Sequence, residues 1–158
     1  MIVDIVHTSF VVQRVFSASP RHTFRFFCEP ELKARWNGCH TDWRVLEETF
    51  DFRVGGGEVK RWRTLEGKEQ TFHSHYLDIV PDARIVYAYE MSFGGTRLSA
   101  SLVTLTLEEM QRGARMTWTE QVAILSGGEK AAEQRAWGTE EGLDVMIDLA
   151  QREGVTEH

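Results

Sequence analysis

Cysteine, proline, basic clusters and long apolar runs are all scarce in this chain, and each scarcity removes a class of explanation. Two cysteines, Cys28 and Cys39, are too few for the disulfide framework on which small secreted folds depend. Cys39-His40 offers two adjacent ligands, but no second Cys or His pair stands at finger-like spacing, so it does not describe a zinc site. His73 and His75 share a strand face and could pinch an ion, yet exposed strand histidines explain them more simply. No metal and no other cofactor is expected. The opening MIVDIVHTSF lacks the basic start and long apolar middle of a secretory signal, and its apolar run is too short to cross a bilayer. Reduced thiols in the cytoplasm are the simplest expectation.

Basic charge is also in deficit. Lys and Arg number 18 against 24 Asp and Glu, a formal charge of -6, and no basic stretch interrupts the acidic background. Nucleic acid and anionic membrane surfaces are therefore not expected as partners. No repeat, low-complexity segment or linker divides the 158 residues, which are expected to form one domain large enough to bury its core without staples.

Alternating apolar positions dominate what is present. From Ser9 to Ala18, Phe10, Val12, Arg14 and Phe16 share one face, which predicts a half-buried first strand. Ser19 can cap a short helix whose first position is Pro20. Pro30 ends that helix and can open a second through Trp36, closed by Asn37-Gly38. From Trp43 the pattern is almost all strand: WRVLEETFDFRV, EVKRWRT, QTFHSHYLDIV, RIVYAYEMSF, RLSASLVTLTLEE and ARMTWTEQVAIL, separated by short turns. Strands so connected pair antiparallel as a meander, giving about seven strands in all. Ser126 and Glu129 have capping-box spacing. The tail from Glu129 to about Glu153 reads as one long helix with Ala132, Ala136, Leu143, Ile147 and Ala150 near one stripe. The architecture predicted is α+β, a curved antiparallel sheet wrapped around a terminal helix, with two short helices after the first strand. Such an arrangement tends to leave a pocket between its layers.

One strand poses a question. After Gly55, Gly56 and Gly57, the residues that share a face with Trp62 are Glu58 and Lys60. A strand that puts a carboxylate and an ammonium beside a large aromatic faces either water or a cavity that wants polar groups.

The segments FSASPRHTFRFF, PELKARW, DFRVGGGE, HYLDIVPDARIVYAYEM, SASLVTLTLEE, ARMTWTEQ and WGTEEGLDVMIDLA, in this order, resemble the START-like or SRPBCC helix-grip superfamily. Within it, the chain resembles homologues of the heat-shock-protein-90 ATPase activator's C-terminal domain, often labelled polyketide-cyclase-like. The resemblance spans about Phe10 to Ala150. It implies the helix-grip fold, shared with birch-pollen-allergen-like proteins, and a habit of binding apolar molecules, but no single reaction. Two positions depart from the family pattern. Leu143 stands where a Trp usually follows Gly142, and Ser74 or its neighbourhood replaces a glycine, a change expected to narrow the space.

On this fold the face shared by Glu58 and Trp62 continues through Tyr76, Tyr87, Tyr89 and Met91, then Val103, Leu105, Met116, Trp118 and Glu120. Glu58 and Glu120 are the candidate acid-base groups, since a carboxylate among apolar walls resists ionisation. A plainer reading pairs Glu58 with Lys60 or Arg61 at the sheet rim. Trp36, Glu58, Trp62, Trp118, Glu120, Tyr76, Tyr87, Tyr89, Met91 and Leu143 are candidate ligand contacts, with Trp137 as either a lid or plain packing. Three functions fit these residues. The first is a pocket for a small hydrophobic or aromatic ligand. The second is an enzyme of cyclase, aldol or hydrolase type using Glu58, Glu120 and tyrosines. The third is a protein-interaction module like the co-chaperone relatives, which requires an exposed apolar patch. Exposed edge strands would also let two chains pair as a homodimer.

Overall fold

A computed structural model describes residues 4–154. The chain forms β1 (Val6–Phe16), α1 (Pro20–Cys28), α2 (Pro30–Asn37), β2 (Arg44–Phe50), β3 (Gly57–Arg63), β4 (Glu69–Val80), β5 (Arg84–Phe93), β6 (Thr96–Met110), β7 (Gly113–Ile124) and α3 (Gly128–Gly154). The strands make one antiparallel sheet in the order β1-β7-β6-β5-β4-β3-β2. A six-strand meander is thus closed by the first strand returning beside the last. Register shifts at Val45/Glu47, Tyr76/Asp78 and Met91/Ser92 mark bulges, which bend the sheet around α3. This is the helix-grip architecture read from the sequence.

The short helices form for the reasons their residues suggest. Ser19 accepts a hydrogen bond from the His22 backbone N–H at 3.1 Å, and Pro20 occupies the first turn. Pro30 then starts α2 directly after the Glu29 cap. Two boundaries differ from expectation. The first strand runs from Val6 rather than Ser9, because its pairing extends to Ile124, the last residue of β7. The strand expected to run on to Val54 stops at Phe50. Asp51–Gly56 instead folds back across β4, with the Gly55 N–H bonded to the Tyr76 carbonyl and the Tyr76 N–H to the Gly56 carbonyl. The glycines are there for contact as well as for turning. A Cβ at Gly57 would lie 2.0 Å from the Ser74 oxygen, and one at Gly56 2.3 Å from the Asp51 oxygen. The capping box before α3 does not form. Gly127 and Gly128 both take positive φ, and neither Ser126 nor Glu129 makes a side-chain hydrogen bond among the described residues.

The core lies at one end of the sheet. Val12, Phe16, Leu105, Leu107 and Met116 pack with Phe24, Phe26 and Phe27 of α1 and with Leu143, Met146, Ile147 and Ala150 of α3. Met146, absent from the expected stripe, is fully buried. The close backbone contacts of α3 are with β1, β7, α1 and α2. Over β3, β4 and β5 the helix stands away from the sheet, and the two short helices occupy the remaining side.

Candidate functional site

The gap left there is a cavity of about 360 Å³. Its floor is the concave face of β3–β5, bearing Trp62, Phe72, Tyr76, Ile85, Tyr87, Tyr89 and Met91, with Trp118 from β7. Phe27 and Trp36 close one side from α1 and α2. The roof is α3, through Gln134, Arg135, Gly138, Thr139, Gly142 and Leu143. These roof positions recur as pairs four residues apart, which puts them on one stripe of the helix. Leu143 lies where the family more often has a Trp, and Gly138 and Gly142 have nothing within 4 Å of where a Cβ would sit. Small side chains on the helix therefore keep the space open.

The aromatic walls are held in orientation by their own polar atoms. The Trp36 indole N–H donates to the Phe26 carbonyl at 2.9 Å, and that of Trp62 to Glu48 at 2.8 Å. Phe72 stacks on Tyr89 at 5.0 Å between ring centroids, and Tyr87 meets Trp118 edge to face at 6.1 Å. The hydroxyls of Tyr76 and Tyr87 make no protein hydrogen bond among the described residues. Burial raises the pKa of both phenols; Glu58 adds to the effect at Tyr76, and Tyr89 with Glu120 adds to it at Tyr87. They stay protonated and can donate.

Both candidate carboxylates are buried, but neither is the isolated acid in an apolar wall that the sequence suggests. Glu120, with no exposed surface, sits behind the cavity floor rather than in it. It accepts from the Tyr89 hydroxyl at 2.5 Å, from Ser101 at 2.8 Å and from the Trp118 indole at 3.3 Å, and Arg135 lies 3.6 Å away. Glu58 is 5% exposed and turned inward, not paired at the rim. It lines a smaller adjoining cavity of about 220 Å³, where Lys33 of α2 lies 2.6 Å from one oxygen and Lys60 3.6 Å from the other. Lys33 and Lys60 reach both cavities. Arg61, the other suggested partner, pairs with Glu47 and Glu69 outside.

Of the contacts expected from the sequence, Trp36, Trp62, Tyr76, Tyr87, Tyr89, Met91, Trp118 and Leu143 line one cavity, while Glu58 and Glu120 do not line it. Trp137 is corrected: it is 65% exposed and does not line the cavity. Ser74 does not narrow the space. Its hydroxyl accepts from the Glu58 backbone N–H at 3.1 Å and stays outside the lining. Lys33, Arg135, Phe27, Phe52 and Phe72 were missed. Lys60 was placed by its alternation on the face of Glu58 and Trp62 but was not counted among the ligand contacts, although it lines the cavity. Burial pulls the Lys60 pKa down to about 8, helped by Lys33 and opposed by Glu58 and Glu48. Among the described residues no group of His, Cys, Asp and Glu could hold a metal ion.

Comparison with known proteins places this geometry. The family described as "Activator of Hsp90 ATPase homolog 1-like protein" matches residues 17–150. The chain belongs to that family. A structure from Rhizobium leguminosarum shares 40% identity at a TM-score of 0.86, covering 96% of this chain and 99% of that one. The Mll3558 protein from Rhizobium loti shares 36% identity at a TM-score of 0.84, covering 92% and 98%. The CV1439 protein from Chromobacterium violaceum shares 26% at 0.72, covering 90% and 96%. No curated protein matches. The match to the Hsp90-activator-like family begins just after β1 and ends within the last turns of α3. No helix among the described residues is long and apolar enough to cross a membrane.

Proposed function

We propose that this member of the Hsp90-activator-like family binds a small, largely aromatic molecule between its sheet and α3. One observation carries the reading: where β3–β5 face the first half of α3, the layers do not close, and the space is walled by aromatic rings with a few polar groups. Its volume, about 360 Å³, sits at the small end of the range typical of ligand sites, about 300–1,000 Å³. Binding through concavity and apolar walls needs no catalytic group, and both buried carboxylates already have protein partners. That arrangement favours a binding site over the acid-base enzyme. A homodimer, if formed, would use the two sheet edges, β1 and β2.

The test is calorimetric titration of the protein with two-ring aromatic acids and alcohols, repeated on Gly142→Phe. Position 142 lines the cavity and has free space around it, so the new ring enters the void. Saturable one-to-one binding is expected in the parent chain, weakened at least about tenfold in the variant by loss of the cavity. No binding by any probe, or equal binding by the variant, would remove the proposal.

A further inference from the structure

The charges around the cavity do not cancel, and their imbalance specifies the ligand further. Three cations reach its lining: Lys33, Lys60 and Arg135. Arg135 is satisfied. It lies 3.6 Å from Glu120, donates to the Tyr89 hydroxyl at 3.0 Å and donates to Ser99 at 2.7 Å. The two lysines share a single buried acid. Glu58 hydrogen-bonds Lys33 at 2.6 Å, which leaves Lys60 at 3.6 Å as the outer member of the triad. The next nearest acid, Glu48, is exposed, so water screens it, and it is engaged by the Trp62 indole. One positive charge is therefore left over on side chains about one-tenth exposed.

Lys60 carries that surplus. Its ammonium has three N–H groups and makes one short hydrogen bond, to the Asn37 carbonyl at 2.8 Å. Otherwise it sits over the rings of Trp62 and Phe72, 5.3 and 5.7 Å from their centroids. Ring faces attract a cation but do not neutralise it. A buried charge with half a counter-ion is costly, and an arriving anion would relieve the cost as it binds.

Resting on the binding function above, we infer that the cavity selects a monoanionic aromatic acid. Its carboxylate lies against Lys60, and its ring lies along Phe72, Trp62 and Tyr87. A single surplus charge suits a carboxylate better than a phosphate, which would need two or more neutralising donors and typically an Arg fork. The unpartnered hydroxyls of Tyr76 and Tyr87 supply further donors on the same floor.

The experiment compares naphthoate with naphthylmethanol, which share one ring system and differ in charge, by calorimetry at pH 7. Naphthoate is expected to bind at least about tenfold tighter, the scale of one charge-assisted hydrogen bond. In Lys60→Met the ratio is expected to fall to within about twofold, because methionine preserves the stem and removes the charge. Equal binding of the two by the parent chain overturns the inference and leaves the pocket standing. A preference that survives in Lys60→Met overturns the assignment to Lys60. If neither compound binds, both the inference and the pocket fall. The parent-chain ratio decides the point even where the variant does not fold.

Discussion

Where β1, β6 and β7 meet the second half of α3, the inward side chains are Val12, Phe16, Leu105, Leu107 and Met116, interlocked with Leu143, Met146, Ile147 and Ala150. Where β3, β4 and β5 meet the first half of the same helix, the inward side chains are Glu58, Lys60, Trp62, Phe72, Tyr76, Tyr87 and Tyr89, and the helix answers with Gly138, Thr139 and Gly142 across open space. The first end is uncharged and filled, so it supplies cohesion. The second is aromatic, ionic and hollow, and nothing there improves packing over what Leu or Val would give. Buried ion pairs are weak contributors to stability and are often replaceable by apolar residues. Their concentration at the hollow end is therefore better explained by what enters the hollow than by folding.

The largest expected effect comes from breaking the ionic triad on one side only. Glu58→Gln keeps the shape of the side chain and leaves Lys33 and Lys60 facing each other without a carboxylate between them. Urea unfolding should show a loss of about 3–5 kcal/mol, the usual result of stripping one partner from a buried pair. A loss below about 1 kcal/mol would mean that water already solvates the triad, and the hollow end would be less dry than its burial suggests.

Truncating one methionine at each end sharpens the contrast. Met146 is fully buried in the solid end, so Met146→Ala should cost about 2–5 kcal/mol by leaving a cavity in close-packed surroundings. Met91 lines the open space, so Met91→Ala removes contacts on one side only and should cost about 1 kcal/mol or less. Equal losses in matched denaturation curves would show that the hollow end collapses in solution and packs like the other.

How much of this contrast a reader of the sequence could see depends on the range over which each feature is decided. Element order was legible because its punctuation is local: Ser19-Pro20, Pro30 and the glycine turns act within a few residues. That Glu58, Lys60 and Trp62 share one face was legible from period two alone; that the face is buried was not, since alternation does not say which side of a sheet meets water. Lys60 was named as a partner of Glu58 and lies 3.6 Å from it, but the shorter contact was not legible, because Lys33 arrives from α2, 25 residues earlier in the chain. Glu120 shares a strand face with Trp118, which put it in the expected pocket. Only the meeting of three strands shows Tyr89 and Ser101 closing over it. Arg135 escaped notice because a stripe drawn through apolar residues passes over a charged one, although charged side chains on a helix often roof polar cavities. The end of β2 was misjudged since Phe52 and Val54 keep the alternation after the backbone has left the sheet at Asp51.

The smallest effect is expected at Trp137, and it tests the placement of the roof. The lining positions of α3, 134, 135, 138, 139, 142 and 143, fill about half of the helix circumference at about 100° per residue. Residue 137 falls roughly 150° from the centre of that arc, on the side facing water. A large aromatic within three residues of four lining positions is therefore still on the wrong face to cover the mouth. Trp137→Ala should change stability by no more than about 0.5 kcal/mol, since the ring is exposed and Ala suits a helix better. Naphthoate affinity should stay within about twofold, as expected for a surface residue remote from the site. A fivefold loss would mean that α3 rotates on its axis when the cavity fills, bringing the outward face over the entrance. The glycines at 138 and 142, open above the void, would then act as the hinge of a closing roof rather than as fixed clearance.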